Sequence, residues 1–472
     1  LLNAMETGDK LITGQVVDSV APVVRCINET VALPMPPEAT DADDAMWLPG
    51  GAGRTADRSN IVRGVGYGVS IKNLMYSEGF DDYSTARCRL EDGRAVLKFA
   101  TAEVGQGFVT LAAQIARTNL GVDDVVLEPI DTSVGSSGST SASRQTWMSG
   151  GAVDLACRTV RDKLFEQVAP RLGADPLSLV IDGYDIVDLD GGGRIPVAEA
   201  SAGVVIDETV VYRHRPTVAP DAMGQGPSHV AFAFVAHRAV VDVDPELGLV
   251  RVVQIATAQD VGVALNPLSV VGQIEGGIAQ GLGLAVMEEI LVTDGLIRNP
   301  SFTDYLLPTF LDAPEVAISL VEEYEPQAPM GAKGVGEPPC ISVTPAIVAA
   351  IRDEAEIARE MQHHRADNPH ASRVDAARAL VVRELLLQEI ERLGIAANAE
   401  PQDSETLEEA SIRLLIEQEV PTPEPDETAC RHYYESNRER LHTPDQYHVH
   451  HILLAASPDD IKGRYDAREL GE

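Results

Sequence analysis

Val230-Ala-Phe-Ala-Phe-Val-Ala-His-Arg-Ala-Val-Val-Asp-Val243 is a strand-like run, and Leu249-Val-Arg-Val-Val-Gln-Ile255 is a second one close behind it. Between them Asp244-Pro-Glu-Leu-Gly248 supplies turn residues, so the stretch reads as a hairpin. The same signal recurs upstream, where Arg87–Leu90 and Ala95–Phe99 flank Glu91-Asp-Gly-Arg94. Asp-Gly tolerates the positive φ of a tight turn. Helical patterns lie around these hairpins: Phe108–Leu120 with Gly121 as its stop, Ser141–Leu172, and the glycine-rich Gly272–Ile290. Hairpins mixed with helices predict an α+β fold.

The chain has 472 residues, with 37 Lys+Arg against 73 Asp+Glu and a formal charge of −36. That excess repels phosphate backbones and argues against a nucleic-acid partner. A content of 44% hydrophobic and 23% charged residues is that of a globular chain. At about 150 residues per domain, the length suggests about three domains. No stretch approaches the ~20 apolar residues of a membrane helix, so no membrane partner is expected. Leu1-Leu-Asn-Ala-Met-Glu6 has neither a basic n-region nor an apolar core, so no secretory signal is expected, and the absent initiator Met points to a missing upstream portion. Cys26, Cys88, Cys157, Cys340 and Cys430 are far apart and form no CxxC pair. That disfavours a thiolate zinc site or a protein-bound iron–sulfur cluster, and it fits a reduced cytoplasmic compartment.

Composition changes near Arg352, and a boundary is expected at about 352–360. Beyond it Ala379, Val382, Leu386, Ile390 and Leu393 form an apolar helical stripe, with Ser372 and Asp375 as a capping pair and Gly394 as the stop. Further helices are expected at Glu405–Gln418 and Glu427–Arg438, then a strand at Tyr447–Leu454.

Small-residue loops on the first side carry chemistry. Gly105-Gln106-Gly107 lies between a strand and a helix. The free N–H groups and positive dipole end of the helix start suit an anionic ligand, and the Gln106 amide both donates and accepts. Gly135-Ser-Ser-Gly-Ser-Thr-Ser-Ala-Ser143-Arg144 also opens a helix, and its hydroxyls, N–H groups and arginine suit a pyrophosphate. The plain alternative for both is a flexible turn with ordinary caps. Gly272-Gln273-Ile-Glu-Gly-Gly277-Ile-Ala-Gln280-Gly281 places several glycines in a helix. Each costs about 1 kcal/mol against alanine, which close approach to a ligand or to a neighbouring helix would explain equally well. In Gly331-Ala-Lys333-Gly-Val-Gly336-Glu337-Pro338-Pro339 the residue before proline is expected to be extended, holding Glu337 on a stiff, non-helical segment. An apolar surrounding would raise its carboxyl toward general-base range; a surface glutamate in a Gly/Pro loop is the alternative.

Taken in order, these loops together with Asp260-Val-Gly-Val-Ala-Leu-Asn266-Pro267 resemble the molybdopterin-binding subunit of the xanthine dehydrogenase and aldehyde oxidoreductase family. The likeness covers about Leu1–Arg352 and is best from Val65 to Ile351. It implies a second molybdopterin-binding domain at 60–352 and a remnant of the first at 1–50. It also implies that the rest of the first domain, with most substrate contacts, lies outside this chain. Glu337 matches the family's general base, which withdraws a proton so that water-derived oxygen can attack an electron-poor carbon. Gln106, Gly107, Ser141, Ala142, Ser143 and Gln273 match positions that hold the molybdopterin, and Arg144 adjoins that motif. The implied cofactor is molybdenum–molybdopterin in its dinucleotide form, with iron–sulfur clusters and FAD on partner subunits of the same complex. The implied reaction is oxidative hydroxylation of a small molecule: a purine, an N-heterocycle or an aldehyde. An oligomer is expected, and no side chain of this chain is assigned as a metal ligand.

The second side has a different likeness. Val420-Pro-Thr-Pro-Glu-Pro-Asp-Glu-Thr-Ala-Cys-Arg-His-Tyr-Tyr434, then Tyr447-His-Val-His-His-Ile-Leu453, resembles a parvulin-type peptidyl-prolyl isomerase. This implies a helical chaperone-like region at 360–440 and a truncated start of the parvulin domain at 441–472. His451 matches a histidine of the isomerase site, whereas the second histidine and the proline pocket have no counterpart. His448 and His450, like His363, His364 and His370, read as solvated polar faces rather than metal ligands. A chaperone-like peptide-binding module, or truncated isomerase, and an inactive fusion remnant are the alternative functions; Glu337 in its Gly/Pro loop separates an enzyme from a chaperone.

Overall fold

The computed structural model describes residues 4–37, 61–244, 248–360, 369–402 and 405–419, with Arg431, Tyr433 and Glu435. The chain divides into two compact units, Leu1–Ala377 and Arg378–Glu472.

In chain order the first unit contains α1 (Val23–Ala32), β1 (Val62–Leu74), β2 (Tyr83–Glu91), β3 (Arg94–Phe99), α2 (Phe108–Leu120), β4 (Val125–Leu127) and the long α3 (Gln145–Leu172). A small sheet of β5 (Leu179–Asp182), β6 (Asp185–Asp188) and β7 (Arg194–Pro196), with α4 (Val197–Ala200), leads into β8 (Val205–Arg213). Then come β9 (Ala231–Asp244), β10 (Leu249–Asp260), α5 (Pro267–Val286), β11 (Val292–Thr293), β12 (Leu296–Ile297), β13 (Glu315–Val321), α6 (Pro338–Ile341) and α7 (Val343–Glu360).

Two four-stranded sheets organise these elements, ordered β4-β3-β2-β8 and β1-β9-β10-β13. Each is antiparallel except at one edge, where β3 pairs with β4 and β10 with β13 in parallel. Both expected hairpins form, with Leu90 opposite Ala95 and Val243 opposite Val250, and the architecture is α+β. In the first sheet one face is apolar, and Cys88, Leu90 and Leu97 pack on Ala112, Ile115 and Ala116 of α2 and on Val153 and Val160 of α3. In the second, β9 is buried along nearly its whole length because helices cover both faces. Ala239 and Val241 meet Ile274 and Ile278 of α5 and Ile347 of α7, while Phe234 and Ala236 meet Val23 and Cys26 of α1. The approach of α7 requires Gly66 and Gly68 on β1. A Cβ on Gly66 would sit 2.2 Å from the Ala350 nitrogen, and one on Gly68 would sit 2.5 Å from the Ser342 carbonyl oxygen.

Two helices of the first unit differ from the expected spans. Helix α3 starts at Gln145 rather than Ser141, because Ala142 and Ser143 have φ of 62° and 49° and cannot join a right-handed helix. Helix α5 covers Pro267–Val286, five residues ahead of the expected start, with Pro267 in its first turn and the Asn266 side chain accepting from Ser269 N at 3.1 Å. Helix α7 runs unbroken through 352–360, where the composition changes.

Helix α8 (Pro369–Leu393) spans the division at Ala377. It starts three residues before the expected cap at Ser372 and stops at Gly394, whose φ is 65°. Helix α9 (Leu407–Glu419) opens on a reciprocal cap: Glu409 N donates to Thr406 Oγ1 at 3.2 Å, and Thr406 N donates to Glu409 Oε2 at 2.7 Å. In the second unit Ile390, Ile395 and Leu415 make a small core. His370 lies in α8. His363, His364, His448, His450, His451 and the strand expected at 447–454 lie outside the described residues, as does the helix expected at 427–438 apart from Arg431, Tyr433 and Glu435. Among the described residues no helix is long and apolar enough to cross a membrane.

Candidate functional site

Helix α6 opens on Pro338 and Pro339, at positions where a missing N–H is no loss. Glu337 precedes it with φ −97° and ψ −35°, which corrects the expected extended backbone. The pre-proline bias yields because Glu337 is held from the α3 loop, its N–H donating to Ser143 Oγ at 2.8 Å. The carboxylate is held at both ends. Oε1 accepts from Ala142 N at 2.7 Å, and Oε2 lies 3.0 Å from Lys72 Nζ on β1. The Glu337 side chain remains 40% exposed, so the carboxylate is reachable from outside.

Ala142 can donate to Glu337 because the loop before α3 is bent through two successive left-handed residues. Each costs on the order of 1–3 kcal/mol and needs outside support. Gly334 gives part of that support, since a Cβ there would sit 1.8 Å from the Ser143 carbonyl oxygen. Arg144 gives the rest. It is fully buried, donates to both Asp82 oxygens through Nε at 2.9 Å and Nη2 at 2.6 Å, and clasps the loop through Ser137 O at 2.6 Å and Ser139 O at 2.7 Å. Its last N–H reaches Tyr83 O at 3.2 Å, so every guanidinium donor is spent inside the protein. Ser141 is exposed and shares hydrogen bonds with the Ser139 hydroxyl and the Tyr76 phenol.

The start of α2 is arranged differently from the expectation of free N–H groups. The Glu103 carboxylate accepts from Gly105 N at 3.0 Å, Gly107 N at 3.0 Å and Val109 N at 2.9 Å. Burial by itself would raise the Glu103 carboxyl, but these N–H groups outweigh it and hold the carboxyl below its ordinary value. The helix end is therefore already filled by an acid of the same turn.

Beside it opens a cleft lined among others by Gln106, Gly107, Gln145, Asn266, Ser269 and Gln273. Gln106 Nε2 donates to Gln145 Oε1 at 2.6 Å and to Ala102 O at 2.8 Å. The predicted residues thus fall into two groups: Gln106, Gly107 and Gln273 in the cleft, and Ala142 and Ser143 around Glu337. Gly336 joins them, because a Cβ there would lie 3.7 Å from Ser143 Oγ and 4.0 Å from Gln273 Oε1. Within α5 the glycines divide. Cβ atoms on Gly277 and Gly281 would press on Pro339 and Val343, at 2.8 and 2.7 Å, whereas Gly272 and Gly276 face open space. Under the loop, buried Lys333 donates to Asp260 Oδ2 at 2.6 Å and lies 3.9 Å from Glu325 Oε2. Burial pushes the Asp260 carboxyl up to about 6 despite the opposing pull of Lys333. Lys72 and Gln145 escaped the sequence reading. Gln145 directly follows a singled-out loop, whereas nothing in β1 marks Lys72.

The molybdopterin cofactor-binding domain model matches residues 50–314. This chain belongs to that family. A 6-hydroxypseudooxynicotine dehydrogenase complex subunit gamma of Paenarthrobacter nicotinovorans is 31% identical over 66% of this chain and 39% of its own length. A probable xanthine dehydrogenase subunit of Bacillus subtilis is 30% identical over 62% of this chain and 40% of its own. Among solved structures, quinoline 2-oxidoreductase from Pseudomonas putida 86 superimposes with a TM-score of 0.54 at 28% identity, covering 63% of this chain and 40% of that one. The chain therefore spans less than half the length of each of these proteins. The residues present fit a molybdopterin. Gln106, Gln145 and Gln273 share one cleft; the Gln106 N–H groups are spent on Gln145 Oε1 and Ala102 O and those of Gln145 on Ala102 O and Thr140 Oγ1, so these two offer oxygen acceptors to a polar heterocycle while Gln273 brings a further amide. The missing side chain of Gly336 leaves room between Gln273 and Ser143.

Proposed function

We propose that this chain supplies the second molybdopterin-binding domain, at 60–352, of a molybdenum hydroxylase large subunit. The reaction is oxidative hydroxylation of a small molecule with water as oxygen source, and Glu337 is the general base. One observation carries the reading: a carboxylate held at both oxygens, by Ala142 N–H and Lys72, stands next to an amide-lined cleft in a chain of this family. The substrate is a purine, an N-heterocycle or an aldehyde, and similar proteins are named for 6-hydroxypseudooxynicotine, xanthine, quinoline and aldehydes. Segment 1–50 is read as a remnant of the first domain, and 360–440 and 441–472 as the parvulin-like tail.

When bound, the molybdopterin-held metal, in dinucleotide form, supplies the two-electron redox chemistry. Gln106 and Gln273 orient the cofactor's polar edge, with Gly107 and Ser141 lining its approach. Ala142 and Ser143 fix the Glu337 carboxylate and backbone, and Arg144 keeps their loop bent from within. Glu337 takes up the proton released as the oxygen attacks carbon, then passes it to solvent through its exposed edge. Iron–sulfur clusters and FAD would be held by partner subunits of one cytoplasmic oligomeric complex and would supply its electron acceptors.

The test reconstitutes the chain with a complementary first domain and measures molybdenum content beside hydroxylation rate. Glu337→Gln is expected to keep fold and molybdenum and lose turnover by ~10²–10⁴-fold. Gln106→Ala and Ser143→Ala are expected to lower molybdenum content. Wild-type turnover by Glu337→Gln at equal molybdenum loading would overturn the assignment of the base.

A further inference from the structure

We infer that Lys72 is the positioning residue for Glu337, fixing one carboxylate oxygen while Ala142 N–H fixes the other. The inference rests on the hydroxylase reading for what Glu337 does, and on geometry alone for the pair itself. Lys72 is near the end of the edge strand β1, where it is paired opposite Ala233 of the buried strand β9, so its stem stands on backbone held by the second sheet. Its ammonium is anchored twice: it donates to Asn73 O at 2.5 Å and lies 3.0 Å from Glu337 Oε2. The lysine side chain is 18% exposed, which limits the water competing for that contact.

A carboxylate on a short helix has free χ torsions, and a base that swings loses aim. With Oε1 on a backbone N–H and Oε2 on an ammonium, the carboxyl plane is set, and proton uptake is confined to the lone pairs left over. Uptake turns the ion pair into an ammonium facing a neutral acid. Release restores it: the carboxyl O–H bond breaks, a water molecule takes the proton, and no electrons move. The other charged or titratable groups around Glu337 are few. Arg144 faces inward to Asp82, the Tyr76 phenol is bonded to Ser141, and Cys340 follows on α6. Burial raises the Cys340 thiol, the Glu337 charge raises it further, and Lys72 pulls it down. Cys340 therefore reports on the pair without any cofactor.

The experiment follows alkylation of Cys340 by iodoacetamide in the chain as it stands, read by peptide mass. Lys72→Met is expected to slow alkylation by about threefold or more, because the Glu337 charge is left unopposed. Lys72→Arg is expected to preserve the rate, and Lys72→Met with Glu337→Gln to recover it. In the reconstituted, molybdenum-loaded protein, Lys72→Met is expected to lower kcat by about 10- to 100-fold with KM little changed, with rescue by Lys72→Arg. An unchanged Cys340 rate in Lys72→Met overturns the pair, and an unchanged kcat at equal molybdenum loading overturns the positioning role. A wild-type chain that takes up no molybdenum would sink the hydroxylase reading instead, while the alkylation series still tests the Lys72–Glu337 pair independently.

Discussion

Helices α2 and α3 both begin at small-residue loops beside the cleft, yet their loops are closed in opposite ways. At α2 the carboxylate comes from the same turn, Glu103, and takes the N–H groups of Gly105, Gly107 and Val109. At α3 no acid is near in sequence, and Ala142 N–H is met by Glu337 from 195 residues away. A locally closed helix start is only an anchor. One closed from a distance ties two remote parts of the chain together, and here it delivers a reachable carboxylate to the edge of the cleft.

The contrast breaks most severely at Arg144. Arg144→Met would leave Asp82 buried without its partner, and removing one member of a buried pair costs about 3–5 kcal/mol. Urea denaturation of the purified chain is the measurement, and a loss below about 1 kcal/mol would show that the α3 loop is held by other contacts. Next comes Gly334→Ala, whose Cβ would overlap the Ser143 carbonyl oxygen. Overpacking of this kind costs about 1–3 kcal/mol. A drop in the denaturation midpoint is expected to accompany weaker molybdenum uptake, because the Ser143 and Ala142 contacts to Glu337 open together.

The smallest effect is expected on the α2 side. Glu103→Ala should cost about 1 kcal/mol, the usual worth of a helix cap. Its pH dependence identifies the cap. The folded carboxyl lies below its ordinary 4.5, so its contribution is present above that value and is lost as pH falls through the lower folded value. The gap between wild type and Glu103→Ala in urea should therefore be full at neutral pH and close in strong acid. A gap that stays constant into acid would mean that the ionised carboxylate is not the cap.

These elements also differ in how far they can be read from residues alone. Hairpin β9–β10 and helix α2 with its Gly121 stop follow from turn chemistry and periodicity, which are local properties. The four-residue error at the start of α3 has a distant cause, since the left-handed pair at Ala142 and Ser143 is supported by Gly334 and by Asp82 acting through Arg144. The Glu337 motif is legible as a motif, but its helical backbone depends on the Ser143 hydroxyl. Lys72 sits in a strand pattern that carries no chemical mark. Glu103 was legible in principle, as an acid two residues ahead of Gly105.

The left-handed pair at Ala142 and Ser143 also bears on the thermodynamics of association. The loop's bend is held by the protein's own groups, with Arg144 donating to Ser137 O and Ser139 O, so ordering it is part of folding rather than of binding. The conformational entropy of that loop is lost once, during folding, and does not recur as a penalty on binding. Affinity then depends on the contacts the ligand makes rather than on how much backbone it must freeze.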